Sequence, residues 1–227
     1  FSTATMMFVS FFVTLFLIKD HRVVVRKEDQ LSGKEVFRSL PYPTLIIALF
    51  VTTLMIQLAN ASISPILTLF IRQLAADTNN IAFVSGMIAA VPGIAALISA
   101  PRLGGLGDRI GTGRILIFAL GFTVVLFAMM AWVRSPLQLG MLRFMLGFAD
   151  GALMPAVQTL LLKYSSDRVT GRIFGYNQSF MYLGNVIGPM LGSSVSAVLG
   201  FRWVFVFTAV LVLINMLQIR HAFKKIR

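Results

Sequence analysis

Recurring apolar runs of bilayer length constrain this chain more than any other feature. A helix needs about 20 mostly apolar residues to cross the hydrocarbon core. Such runs recur at residues 1–18, 44–70, 81–100, 115–133, 138–162, 173–199 and 203–219. They amount to seven candidate spans, the first incomplete. Of 227 residues, 57% are hydrophobic and only 12% charged, a balance that excludes an ordinary soluble domain. The fold class is therefore all-α, a polytopic membrane protein. The chain opens at Phe1 inside an apolar run, with no initiator Met, charged leader or small-residue cleavage site. A signal peptide does not account for that start, and the sequence reads as a fragment.

A net charge of +12 invites a nucleic-acid partner, but its placement argues otherwise. Lys19, Arg22, Arg26, Lys27, Lys34 and Arg38 follow the first run, and Arg102, Arg109 and Arg114 lie between the third and fourth. Lys163, Arg168 and Arg172 separate the fifth and sixth, while Arg220, Lys224, Lys225 and Arg227 close the chain. If every run crosses, these sixteen share one side, the other side receives only Arg72, Arg134 and Arg202, and Arg143 stays within a span. That asymmetry is the positive-inside pattern, which puts the C-terminus in the cytoplasm. No nucleic-acid partner is expected. There is no cysteine, and His21 and His221 fall in predicted loops without a metal-binding pattern around them. No metal and no cofactor are expected. The segment 19–43 reads as a solvated linker with a short amphipathic helix around 31–40, closed by Pro41 and Pro43.

The six complete spans fall into two kinds. Those at 44–70, 81–100, 138–162 and 173–199 carry Pro65, Pro92, Pro155 and Pro189, with Gln57, Asn60, Asp150, Gln158, Asn177, Gln178 and Asn185. The spans at 115–133 and 203–219 lack proline and strong polar groups, apart from Asn215 and Gln218. Proline and amide groups survive at membrane depth where protein or a water-filled cavity satisfies them. Four spans are thus expected to line an interior and two to face lipid, in an order that repeats after about 90 residues: a three-plus-three repeat. Gly184, Gly188, Gly192, Ser196 and Gly200 recur every four residues, a flat strip for a close helix neighbour. Its role is either static packing or a sliding surface. The stretch GGLGDRIGTGR at 104–114 is expected to be a tight cytoplasmic turn, with Asp108 capping a helix and Arg109 and Arg114 at the interface.

GGLGDRIGTGR, with Gly104, Gly107, the Asp108–Arg109 pair, Gly111 and the trailing Arg114, resembles the cytoplasmic-loop signature of the major facilitator superfamily. LRFMLGFADGALMPA at 142–156 resembles the second-half counterpart of that family's arginine-bearing helix. GNVIGPMLG, with Gly184, Gly188, Pro189 and Gly192, resembles its antiporter Gly-Pro motif. The resemblance implies that residues 1–18 end the sixth helix of an N-terminal lobe and that 19–43 link the lobes. It also implies that 44–219 form the C-terminal six-helix lobe and 220–227 a cytoplasmic tail. The implied activity is drug export by proton antiport in the bacterial inner membrane. The implied partners are a small-molecule substrate, protons, the lipid bilayer and a missing N-terminal lobe.

Asp150 falls about 18 Å below the outer surface, near the midplane, and Arg143 about 8 Å below it. An ionised carboxylate at that depth is costly, so proton uptake becomes feasible at moderate pH, and Asp150 is the candidate proton or cation site. The alternative is a structural acid bonded to a neighbouring helix, for instance at Asn185. Arg143 either attracts an anionic group or balances Asp150 through water, or snorkels to the interface. Gln57, Asn60, Asn177, Gln178 and Asn185 are candidates for the substrate cavity, each with interhelical hydrogen bonding as the alternative. A proton-coupled uptake carrier for a small metabolite and a non-transporting scaffold or sensor stay open; no catalytic constellation lies inside the spans, so an enzyme is not expected. Asp108→Asn is expected to lower transport more than membrane insertion, measured as flux per inserted molecule of the complete protein. Equal losses of both would make Asp108 a folding residue.

Overall fold

The computed structural model describes residues 2–17, 33–75, 80–166 and 168–225, without the side chains of Ser2, Thr3, Leu17, Lys34 and Asp108. The chain divides into two units, Phe1–Phe37 and Arg38–Arg227. The first holds α1 (Ser2–Leu17) and most of α2 (Gly33–Ser39). Helix α2 coincides with the expected short helix. Most of the basic linker, Lys19 to Lys27 included, lies outside the described residues.

The second unit is built from α3 (Pro43–Ile63), α4 (Leu67–Leu74), α5 (Ile81–Ile110), α6 (Thr112–Met130), α7 (Pro136–Tyr164), α8 (Thr170–Leu199) and α9 (Phe201–Lys224). Six of these, all but α4, are long and apolar enough to cross a membrane. Pro43 opens α3 and Pro136 opens α7, positions where the missing N–H costs nothing. At the start of α7 the Ser135 hydroxyl accepts from the Gln138 amide at 3.3 Å, and the Gln138 side chain accepts from the Arg134 amide at 2.9 Å. That reciprocal pair satisfies two donors at the helix start.

Two expectations change. The run 44–70 is two helices, because Pro65 lacks the N–H that would continue α3. The amides of Ser64 and Ile66 instead donate to Ala61 and Ile63 in a tight three-residue turn. Pro92, Pro101, Pro155 and Pro189, by contrast, remain inside their helices. The stretch 104–114 is mostly helix, since α5 continues through Gly104, Gly105 and Gly107 to Ile110. The reversal is confined to Gly111, whose φ of 100° only glycine adopts freely. Gly111 also occupies the cap position of α6. The backbone of Asp108 lies in the last turn of α5, and its side chain lies outside the described residues. Helix α9 extends through most of the expected tail.

The packing has a hidden twofold. When α3 is exchanged with α7, α5 with α8 and α6 with α9, the contacts map onto themselves. Helix α3 packs most against α8 and α5 most against α7, α6 against α7 is matched by α9 against α3, and α6 meets its counterpart α9. The corners match too: Gly200, with φ 94°, joins α8 to α9 as Gly111 joins α5 to α6. Three helices are an odd number, so the second set runs through the bilayer in the opposite sense, the inverted repeat of many transporters.

Burial does not follow polarity. In their most apolar stretches 61% of α3 and 56% of α7 is buried, against only 17% of α5 and of α8, while α6 and α9 reach 44% and 39%. The sequence groups α5 and α8 with the lining helices, yet in this chain each packs extensively against one helix, with smaller contacts to its neighbours, and leaves most of its surface exposed. Glycine makes that single contact close. A Cβ on Gly147 would collide with the Pro92 carbonyl of α5, and one on Gly151 with the Ser99 hydroxyl. On α8, a Cβ at Gly184 would stand 2.6 Å from the Leu54 carbonyl oxygen, one at Gly188 2.8 Å from that of Leu58, and one at Gly192 would strike the Ser62 carbonyl.

Apart from the Ser99 hydroxyl, those obstacles are backbone, which cannot swing away. Gly192→Ala and Gly147→Ala are expected to destabilise the protein by roughly 1 to 3 kcal/mol, the usual cost of overpacking. Gly93→Ala and Gly175→Ala meet no atom within 4 Å and should be neutral or mildly stabilising. Thermal unfolding in detergent distinguishes the two sets, and equal shifts in both would refute the close-contact assignment.

Candidate functional site

Helix α3 joins three neighbours through polar groups at membrane depth. Thr52 donates to the Ala48 carbonyl at 2.8 Å and accepts from the Asn215 amide of α9 at 3.1 Å. Thr53 donates to Asn177 Oδ1 of α8 at 2.7 Å. Ser62 shares a 3.3 Å hydrogen bond with Thr208 of α9. Asn60 donates to Asp150 Oδ1 of α7 at 3.2 Å. Thr52, Thr53, Ser62, Asn177, Thr208 and Asn215 are all buried, where an unpartnered group would be costly. Asn215 Oδ1 is nevertheless buried without a donor among the described residues.

The bond between Asn60 and Asp150 lies on the pseudo-twofold. The residues are 90 positions apart, the spacing of the repeat, and so are Pro65 and Pro155. The same position in the two repeats holds an amide in one and an acid in the other. Asp150 borders an enclosed cavity of about 10 Å³ with Met55, Asn60, Thr123, Phe127 and Val212, walled by α3, α6, α7 and α9. That volume is near the minimum one water molecule occupies. The next positions on α7 face elsewhere: Gly151 and Pro155 line an open groove with Gly93, Leu97 and Pro101 of α5. Asp150 therefore points into the lobe, although its neighbours front the groove. Its partner is Asn60, not Asn185, which is exposed on α8.

Arg143 sits two turns before Asp150 on α7, about 10 Å away along the axis. Coulombic attraction acts between the two without a direct contact. Arg143 Nε and Nη1 are buried and have no hydrogen-bond partner among the described residues. A guanidinium with two buried, open donors is suited to an anionic group. Gln57 is half-buried on α3, where its Cβ lies 2.8 Å from the place a Cβ on Gly184 would take. Asn177 is buried in its bond to Thr53, and Gln178 is exposed. Gly184, Gly188 and Gly192 form the α3–α8 seam, with Pro189 partly buried beside them. Arg109 and Arg114 are exposed at the α5–α6 corner.

The sequence reading missed Thr52, Thr53, Ser62 and Thr208. For Thr52, Thr53 and Ser62 the only signal is a concentration of hydroxyls on one span, and Thr208 on α9 carries none; each can also satisfy itself on its own helix, as Thr208 does on Val204 at 2.8 Å. Whether the Thr53–Asn177 bond holds α8 to α3 is measurable by a double-mutant cycle. Thr53→Val and Asn177→Leu should couple by about 0.5 to 2 kcal/mol, the range for interhelical bonds in membranes. The exposed Asn185 in place of Asn177 should give no coupling.

Comparison with known proteins adds the family. Residues 45–225 match the family model of the Major Facilitator Superfamily. The chain is 60% identical over 215 residues to "Multidrug resistance protein MdtG" of Klebsiella pneumoniae, covering 95% of this chain and 52% of that protein. The protein of the same name from Yersinia enterocolitica is 58% identical, with 96% of this chain and 52% of the relative covered. That from Escherichia coli is 59% identical, with 95% and 53% covered. The chain thus spans about half the length of the curated relatives it matches. Six membrane-length helices in two inverted triplets, together with a family model matching most of the chain, show that it belongs to the major facilitator superfamily.

Proposed function

We propose that this chain is the C-terminal half of a secondary active transporter that exports drugs or other amphipathic small molecules by proton antiport with alternating access. The relatives' name, multidrug resistance protein, supports the substrate class. The single observation that carries the coupling role is Asp150. It is the acid within the spans whose side chain is described, it is held in the lobe interior by Asn60, and it borders a cavity of about one water molecule. The carboxyl group is partly buried, and movement of α7 against α3 and α6 would change the side from which it takes or releases a proton. Gating of that kind is what coupling requires. Arg143, with two buried nitrogens unpartnered, is proposed to attract the anionic form of a substrate or to answer the charge of Asp150 as it changes.

In this reading the chain is located in the bacterial inner membrane with its C-terminus in the cytoplasm, residues 19–43 link two lobes, and an N-terminal lobe completes the central cavity. The chain is not an enzyme. Gln57, Gln178 and Asn185 remain proposed substrate contacts, and Asn60 and Asn177 serve them by holding α3 against α7 and α8.

Asp150→Asn in the complete protein keeps size and hydrogen-bonding capacity while removing the titration. Export driven by a pH gradient should fall at least about a hundredfold, within the range for loss of a positioned proton carrier. Equilibrium binding of a neutral drug should survive. Paired flux and binding between about pH 5 and pH 9, where buried carboxyl groups titrate, checks this, and normal export with an unchanged pH profile would make Asp150 structural. Vesicles of both orientations separate export from uptake. The 227 residues alone should give no proton-coupled flux, because a site between two lobes needs both; robust coupled flux from them would overturn the half-transporter reading.

A further inference from the structure

Away from Asp150, at the basic end of the bundle, a cavity of about 480 Å³ opens between the start of α6 and the ends of α7 and α9. Four cations from three stretches of chain line it: Arg114, Lys163, Arg220 and Lys224. No acidic side chain lines it among the described residues. Arg220 and Lys224 are one turn apart on one face of α9, a spacing at which like charges repel. Lys163 and Lys224 lie in the last turns of their helices, where the macrodipole favours a cation. Arg114 does not: it lies in the first turn of α6, the positive end. There the amides of Thr112 and Gly113 find no acceptor among the described residues. The inner wall is apolar, with Ile117 and Leu160. Phe223 closes it so tightly on α6 that a Cβ on Gly113 would stand 3.1 Å from the ring.

A cation at the unfavourable end of a helix, with three more lining the same cavity, calls for an anion with several acceptor oxygens. The greasy wall calls for something attached to it. We propose that this cavity binds an anionic phospholipid, its phosphate among Arg114, Lys163, Arg220 and Lys224 and the start of its acyl chains along Ile117, Leu160 and Phe223. Basic pockets between spans at a leaflet surface are suited to such headgroups. The ligand would bridge α6, α7 and α9, helices of both repeats. This site is separate from the substrate path and stands whether or not the transport reading does.

The test uses the complete protein, delipidated in non-ionic detergent and titrated with short-chain phosphatidylglycerol, short-chain phosphatidylcholine and inorganic phosphate, with bound lipid counted by native mass spectrometry. Phosphatidylglycerol should bind at one saturable site, phosphatidylcholine and phosphate far more weakly. Arg114→Gln with Arg220→Gln should weaken phosphatidylglycerol by about tenfold or more, at roughly 1 kcal/mol per cation. Arg102→Gln with Arg172→Gln, which removes the same charge from exposed positions outside the cavity, should change it less than about twofold. Circular dichroism confirms the fold of each variant, and Lys163→Gln with Lys224→Gln replaces the first pair should it not fold. Equal losses in cavity and control pairs would reduce the effect to diffuse attraction and overturn the site. Phosphate as strong as the lipid would make the occupant a free anion and overturn the lipid assignment, as would wild-type protein without saturable binding.

Discussion

Without a Cβ at Gly184, Gly188 and Gly192, α8 rests on the carbonyls of Leu54, Leu58 and Ser62, and everything else in the bundle follows from that nearness. Lipid tails are as apolar as leucine, so helices in a membrane gain little from hiding apolar surface from one another. Close van der Waals contact and hydrogen bonding must do the holding instead. The seam brings Asn177 within 2.7 Å of Thr53, and the matching seam, in which Gly147 and Gly151 of α7 meet Pro92 and Ser99 of α5, sets the face that α7 turns toward α3. Asn60 and Asp150 meet because both seams exist.

Their meeting gives the proposed coupling a physical shape. Asp150 is partly buried against Leu153, Phe127 and Val212, whereas Gly151 and Pro155 beside it front a groove. In the proposed mechanism, motion of α7 against α3 would alter this exposure. Arg143 stands on the same helix, so any movement that exposes the acid carries the guanidinium with it.

Much of this was legible in the residues, for identifiable reasons. Runs such as 115–133 and 203–219 declare themselves because hydrocarbon tolerates nothing else over that length. The repeat shows in the order of polar and apolar spans, which recurs after about 90 residues. Asn60 and Asp150 are 90 residues apart, yet the sequence offers Asn185 as a partner for Asp150 in its structural alternative, because depth is the only coordinate it gives. Depth ranks residues along a helix and says nothing about which face they occupy. The same blindness hid the hydroxyl contacts of Thr52 and Ser62, which exist only where helices cross. The stretch 104–114 misled in another way: its glycines suggest a loop, but a helix already running through Pro101 continues through them until Gly111, where the backbone takes a conformation that other residues resist.

The two one-residue corners carry a consequence of their own. Gly111 and Gly200 each end one long helix and begin the next, so no slack separates α5 from α6 or α8 from α9. Each corner therefore acts as a phase setting. Each residue advances a helix by about 100°, so one residue added or removed there would turn the whole of α6 or α9 by more than a quarter revolution. The face bearing Leu116, Leu120 and Phe127, or that bearing Phe205, Val212 and Asn215, would be carried out of the bundle toward lipid. Length at these corners is thus tied to the helical angle itself. A lineage could vary the side chains on either helix more freely than it could change the count of residues between them.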